Sequence, residues 1–316
     1  MAKIGPFEVS AQGFGAMGLS SSYGHADDAE SIRTIHRAID LGISFFDTAS
    51  GYGDGHNEEL LGRAIAGKRD NLVIASKFTH RRGGGGELIS ARQAVEASLR
   101  RLNVDHIDLY YLHRVDPLVP IGQSISELAR LQDEGKIGGI GVSEADADQI
   151  RRAHAVAPLA ALQSEYSLWT RYVEAEILPT VRELGIGFVA YSPLGRGFLA
   201  GSLPSEEDDR RNFHPRFQAD AIAANARRRR IVEDVAERLY VTPAQVSLAW
   251  VLAKDVVPIP GTRHVAHLED NVAANRIQLD DETIAELDAA FPPGTTIGDR
   301  YPPEQLQFVP REPAIA

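Results

Sequence analysis

Short apolar runs alternate with amphipathic segments along almost the whole chain, and this alternation limits the possible architectures more than any other feature. The runs are GFGAM (13–17), ISFF (43–46), LVIAS (72–76), IDLYYL (107–112), GGIGV (138–142), PLAAL (158–162), IGFVA (186–190) and VVPI (256–259). Each is continuously apolar, as strands buried on both faces are. The segments between them carry helix-start signals. Ser90-Ala-Arg-Gln93 and Thr242-Pro-Ala-Gln245 read as capping boxes, the second with proline at the first helical position, and Ser124-Ile-Ser-Glu127 is a third candidate. Gly42, Gly135 and Gly185 stand where helices stop.

Eight buried strands alternating with helices predict parallel strands joined by crossover helices. Eight units of about 35 residues need roughly 280, and the chain has 316. The expected fold is therefore α/β: one (β/α)8 TIM barrel domain over 1–316, with a β-hairpin at the N-terminus and a C-terminal tail over the barrel. A doubly wound open sheet with a small second domain competes, but no Pro/Gly/Ser-rich linker divides the chain. The Gly run at 83–86 and the polar stretch 201–220 read as long βα loops, the first of them mobile. The non-periodic stretch after Phe291 reads as the tail.

Composition removes several functions. With 33 basic against 44 acidic residues the net charge is −11, unfavourable for nucleic acid or an anionic membrane surface. Zero cysteines exclude disulfides, thiolate catalysis, Cys-ligated zinc and iron–sulfur clusters. No run approaches the ~18 apolar residues of a membrane span, and MAKIGPFEVS has no apolar signal core. A soluble, cytoplasmic protein is expected, monomer and homo-oligomer both remaining open.

In a barrel, side chains past the carboxyl end of each strand converge on one rim. Asp47 follows ISFF, Lys77 follows LVIAS and His113 follows IDLYYL. Ser143 and Glu144 follow GGIGV, Gln163 follows PLAAL, and Tyr191 and Ser192 follow IGFVA. Pro260, Gly261 and Thr262 follow VVPI. Tyr52 sits five residues beyond Asp47 in a Gly-rich turn. Taken singly, an Asp there is usually a turn residue and a His a satisfied filler. Lys77 resists that reading, because an ammonium after a buried run needs a carboxylate, and Asp47 on the neighbouring strand is the natural one.

Asp47, Tyr52, Lys77 and His113 stand in the order and spacing of the catalytic tetrad of the aldo-keto reductases, which the chain resembles. The wording matches in GISFFDTASGYGDGHNEELLGRAI (42–65), IASKF (74–78), VEASLRRLNVDHIDLYYLHRVD (95–116), EGKIGGIGVSE (134–144), QSEYSLWTR (163–171), AYSPLGRGFLAG (190–201) and IPGTRHVAHLEDN (259–271). The resemblance runs from about residue 5 to 280 and is nearest to the bacterial and plant branch with YSPLGRG, which implies reduction of aldehydes, ketones or quinones.

The side chains suit that chemistry. Hydride reduction of a carbonyl leaves an alkoxide, so a proton must be delivered. Tyr52 is the candidate acid, and a nearby cation is expected to lower its pKa from about 10 by roughly 1–3 units. Lys77 is that cation, with Asp47 holding it charged, while His113 polarises the substrate oxygen. None of the four can store a hydride, so a redox cofactor is required. Gly13-Phe-Gly15-Ala-Met-Gly18 matches G-x-G-x-x-G, but turn formers follow it where a helix should open. The phosphate site is expected instead in the loops after barrel strands 7 and 8, Ser192-Pro193-Leu194-Gly195-Arg196-Gly197 and Pro260-Gly261-Thr262-Arg263, each offering an arginine and glycine N–H groups.

The resemblance further implies Tyr191 stacked on a nicotinamide, Ser143 and Gln163 on its carboxamide, and Gly15 and Met17 beside the cofactor. Asp270 and Asn271 would lie near the adenine and His267 near the adenosine phosphate. Two positions depart from many relatives: Glu144 stands for Asn, and Gly261 for Lys. The second leaves Arg263 as the expected 2′-phosphate partner, so NADPH/NADP+ is the expected cofactor and a small carbonyl compound the substrate.

Other features read as structural. Arg227–Arg230 opens an amphipathic helix with Ile231, Val235 and Leu239 on one face. His264 and His267 have metal-ligand spacing, but nothing nearby completes a site, so no metal is expected. Trp250 belongs to the core; Trp169 and Tyr23 are expected to line the substrate pocket. Two rivals are a glycosidase-like site pairing Asp47 with Glu165, which leaves Lys77 without a role, and a nicotinamide-cofactor-bound sensor with little turnover.

Overall fold

The structure, a computed structural model, describes residues 1–20, 22–81 and 87–310; the Gly run at 83–86 lies outside them. Every apolar run carries a strand. A hairpin of β1 (Ala2–Ile4) and β2 (Phe7–Val9) precedes eight parallel strands: β3 (Phe14–Gly15), β4 (Phe45–Asp47), β5 (Val73–Phe78), β6 (Ile107–Leu112), β7 (Ile137–Ser143), β8 (Ala161–Glu165), β9 (Gly187–Tyr191) and β10 (Val257–Pro258). They pair in chain order from β3 to β10. Gly13 N–H on Pro258 O at 2.9 Å and Gly15 N–H on Pro260 O at 3.2 Å join the two edges and close the barrel.

The helices that return the chain are α1 (Asp28–Asp40), α2 (His56–Ile65), α3 (Ala91–Leu102), α4 (Ile121–Asp133), α5 (Ala147–Val156) and α6 (Ile177–Glu183). Then come α7 (Ala219–Leu239) and α8 (Pro243–Leu252) before β10, and α9 (Val265–Ala273) and α10 (Asp281–Ala290) after it. Helix α3 shows how local sequence sets such an element. Ser90 and Gln93 form the expected capping box, Ala91, Ala94, Val95, Ser98 and Leu102 make the buried stripe, and Asn103 ends the helix in the left-handed region. The box at Thr242–Gln245 forms with Pro243 in the first turn. Gly42, Gly135 and Gly185 all have positive φ.

Along each strand alternate residues separate into two layers. Phe45, Ala75, Leu109, Tyr111, Ala161 and Val189 fill the barrel interior, whereas Phe46, Ile74, Tyr110, Leu112, Leu162 and Ala190 pack outward against the helices. Gly141 faces inward because a Cβ there would come within 2.2 Å of the Tyr111 ring. The hairpin plugs the end where strands begin: a Cβ on Gly187 would meet Ile4 at 2.8 Å, and one on Gly139 would meet Phe7 at 2.9 Å.

Several expectations are corrected. Ser124 lies inside α4, which starts at Ile121. Its hydroxyl meets His80 at 2.7 Å, and Glu127 instead accepts the Ala91 N–H that opens α3. Asp146 and Gln149 form a capping box that the sequence reading passed over. Strand β8 starts at Ala161, past most of PLAAL, and Ala160 just before it packs against Gly5 of the hairpin. The arginines at 227–230 sit mid-way along α7, which opens at Ala219 and buries Val232, Val235 and Ala236, leaving Leu239 exposed.

Candidate active site

The period of two carries six of the eight barrel strands past the end of the core to a polar residue. Phe45 leads to Asp47, Ala75 to Lys77, Tyr111 to His113, Gly141 to Ser143, Ala161 to Gln163 and Val189 to Tyr191. Register sets their levels: Lys77 lies opposite Tyr111, and Ser143 opposite Gln163. Tyr52 arrives from a tight turn after β4, where Gly53, Asp54 and Gly55 all have positive φ (56°, 55° and 97°), a path that favours glycine. Asn57 pins the start of this loop, accepting from the Thr48 hydroxyl at 2.6 Å and donating to Ala16 O at 2.9 Å.

The four tetrad residues come together as expected. The Lys77 ammonium, 0% exposed, donates to Asp47 Oδ1 at 2.5 Å, to Thr48 O at 2.7 Å and to Tyr52 Oη at 3.4 Å. Gln163 Nε2 donates to the other Asp47 oxygen at 2.8 Å. The Tyr52 and His113 rings meet edge to face, centroids 5.9 Å apart.

The electrostatics differ from expectation at Tyr52. Burial pushes its phenol up, and the opposing pull of Lys77 does not overcome this, so its pKa is raised rather than lowered. Burial alone would drive the proton off Lys77, but Asp47 and Tyr52 reverse that and hold it charged. His113 is pushed well below the usual imidazole value by burial and by Arg114 and Lys77. At neutral pH the site thus presents a protonated phenol, an ammonium and a neutral imidazole.

Beside the tetrad lies a cleft of about 630 Å³, within the range of ligand pockets. Asp47, Tyr52, Gln163, Gly15, Met17 and Tyr23 line it, together with Tyr191, Ser192, Pro193, Leu194, Arg196 and Gly197. Gly261, Thr262, Arg263, His267, Asp270 and Asn271 line it too, with Gly261 packed against Gly15. Gly195 N–H donates to Ser192 O at 2.9 Å and Gly197 N–H to Leu194 O at 3.0 Å, so these glycine amides are not the loop's free donors. Arg196 projects near Glu165 at 3.2 Å, and Arg263 donates to Tyr23 O at 2.9 Å and lies 3.7 Å from Glu206. Asp270 accepts from Thr242 and Gln245 at the start of α8. A cleft lined by Asp47 and Tyr52 and by two arginine-bearing loops fits a dinucleotide bearing phosphates.

Trp169 is corrected: it is 2% exposed and stacks on Phe198 with ring centroids 4.0 Å apart, behind the loop at Gly195 rather than in the cleft. Ser143 is also buried, its hydroxyl accepting from Arg114 at 3.2 Å. Trp250 is core as expected. His264 and His267 form no metal cluster, and none exists among the described residues. Glu165 cannot serve a glycosidase as an acid. Burial would raise it, but Arg196, Arg300 and Arg216 hold it down at about 2.

Sequence reasoning missed Arg114, Arg300 and Tyr301. Arg114 directly follows His113, a cation at a strand end, and was readable on the logic applied to Lys77. Arg300 and Tyr301 lie in the tail, where no periodicity marks them. The tail crosses the rim, held by Thr296 on Trp169 O at 2.8 Å, Arg216 on Gly298 O at 3.0 Å and Asn225 on Ile297 O at 3.0 Å.

Barrel and site together are those of an oxidoreductase. The chain belongs to the aldo/keto reductase family, whose model matches residues 12–291. It is 45% identical over 308 residues to a probable aldo-keto reductase 1 of Glycine max, covering 93% of this chain and 89% of that protein. Among solved structures it resembles an aldo/keto reductase of Klebsiella pneumoniae in complex with NADP and acetate, at 30% identity, TM-score 0.74 and 96% and 99% coverage of the two chains. A glycerol dehydrogenase of Gluconobacter oxydans matches at 30% identity, TM-score 0.79, with 96% and 97% coverage. Among the described residues no helix is long and apolar enough to cross a membrane.

Proposed function

We propose that the enzyme reduces aldehydes and ketones, with quinones as a further substrate class, using NADPH. The observation that carries this reading is the Lys77 ammonium, sealed against Asp47 at 2.5 Å and 3.4 Å from the Tyr52 hydroxyl, behind the cleft that Asp47 and Tyr52 line. The Klebsiella relative in complex with NADP supports the cofactor class. When bound, NADPH supplies the hydride.

Residues of this chain do the rest. The neutral His113 offers an N–H to the substrate oxygen and draws charge onto it. Removing one such donor typically costs about 10²–10³ in rate. Tyr52 gives its proton to that oxygen as negative charge develops. Because burial raises its pKa, the phenol is fully protonated and ready at neutral pH. Lys77 then acts on the product side, stabilising the phenolate that remains. Tyr191 would offer its ring to the nicotinamide, the loop from Ser192 to Gly197 with Arg196 would hold the pyrophosphate, and Arg263, close to the start of α9, would take the 2′-phosphate, a favourable place for an anion.

Fluorescence titration with NADPH, followed by its consumption across aldehydes, ketones and quinones, tests the reading. Binding with turnover supports it. Binding without turnover on any carbonyl would favour a cofactor-bound sensor, and absence of binding would overturn both.

A further inference from the structure

Glu144 is placed where many relatives put an asparagine, yet its surroundings are those of an anchor. It follows β7 directly with φ of 53° and is 1% exposed. Its Oε1 accepts from the Glu165 N–H at 2.9 Å, the Tyr191 hydroxyl at 2.8 Å and Arg300 at 3.2 Å. Its Oε2 accepts from the Tyr172 hydroxyl at 2.9 Å and from both terminal nitrogens of Arg300 at 3.0 Å. A carboxylate has about four lone-pair sites. This one is saturated by the chain itself, which leaves no capacity for a carboxamide.

Hydrogen-bond direction extends the arrangement. A carboxylate only accepts, so the Tyr191 hydroxyl donates to Glu144 and its oxygen must accept from Tyr301, 2.7 Å away. A guanidinium only donates, so Arg114 gives to the Tyr301 oxygen at 3.2 Å. The same Arg114 donates to His113 O at 2.6 Å and to Ser143 Oγ at 3.2 Å. Every proton in the series Arg114, Tyr301, Tyr191, Glu144 therefore has one direction. Such polarised chains strengthen each member. The series ties the ends of β6, β7 and β9 to the C-terminal segment.

We propose that Glu144 is a positioning residue that does not bind cofactor: anchored by Arg300, it orients the Tyr191 ring through the Tyr191 hydroxyl, and Tyr301 extends this hold to Arg114 and the His113 backbone. The proposal rests on the reading of Tyr191 as the nicotinamide platform. Through it the tail would help set the platform for the cofactor ring and the backbone that carries His113.

Glu144→Gln takes the nearer carboxylate from a buried arginine, leaving Glu165 at 3.7 Å, and endangers folding, so phenylalanine variants carry the test. Tyr191→Phe and Tyr301→Phe keep both rings and remove one hydroxyl each. Each is expected to lower kcat about tenfold and to weaken NADPH, while affinity for adenosine 2′,5′-bisphosphate, which lacks the nicotinamide, stays at the wild-type value. The double variant should lose no more than the worse single one, since both break the same series. Full additivity of the two losses, or wild-type kcat in both single variants, overturns the proposal. Tyr191→Ala separates this from the underlying reading. If it weakens NADPH relative to the bisphosphate while the phenylalanine variants behave as wild type, the platform stands and the anchor fails; if it weakens neither, the platform itself is wrong.

Discussion

The Lys77 ammonium meets the Asp47 carboxylate at 2.5 Å inside the rim of the barrel, with both side chains almost wholly removed from water. Breaking a buried pair leaves an uncompensated charge and costs about 3–5 kcal/mol, whereas replacing both partners is often close to neutral. Lys77→Met alone is thus expected to lower Tm markedly, and Asp47→Asn with Lys77→Met to recover most of that loss. Turnover should stay absent in both. Urea denaturation of the two variants checks this; equal destabilisation would show that the pair does not stabilise itself.

With Tyr52 as the proposed acid, reduction needs it protonated, and its pKa is raised above 10.0 chiefly by burial. The rate of carbonyl reduction should be level through neutral pH and fall only as pH rises past the ordinary phenol range. His113, held well below 6.5 by burial and then by Arg114 and Lys77, should add no limb near 6.5. A pH profile of kcat with an isotopically labelled hydride donor checks this. A basic limb well below pH 10 would mean that Lys77 outweighs burial.

Stability should also titrate. His214, buried beside Arg196, takes its proton only at about 4 instead of 6.5. The unfolded chain binds that proton first, so its contribution is complete above pH 6.5 and is lost as pH falls from 6.5 to 4. Glu165, at about 2 against an ordinary 4.5, contributes above pH 4.5 and loses that as pH falls towards 2. His214→Gln should flatten the upper part of the denaturation midpoint against pH and leave the lower part unchanged.

Arg263→Ala should weaken NADPH far more than NADH in a fluorescence titration. The residue also donates to Tyr23 O and Gly24 O, so a small loss common to both cofactors is expected from loosening of that loop. Equal losses would remove the 2′-phosphate assignment.

The barrel was legible in the sequence because strands buried on both faces must be continuously apolar, and the Lys77–Asp47 pair because an ammonium after such a run demands a carboxylate. Capping signals at Ser90 and Thr242 are local chemistry and read directly. Three things were not legible, each for a physical reason. The net electrostatics of Tyr52 depend on how deeply it is enclosed, which no spacing encodes. Trp169 turns inward because Phe198 and Phe217, far along the chain, offer it rings. The Glu144–Arg300 pair spans 156 residues, and only the folded tail brings the partner that explains the carboxylate.

The most direct test is Tyr52→Phe, assayed for single-turnover reduction of an aldehyde and for NADPH affinity. The hydroxyl touches Lys77 at 3.4 Å, so the change removes the proton donor with little effect on folding. The expected result is a rate lower by about 10²–10⁴-fold with NADPH bound as tightly as by the wild type. Reduction at the wild-type rate would contradict the role of Tyr52 as the acid.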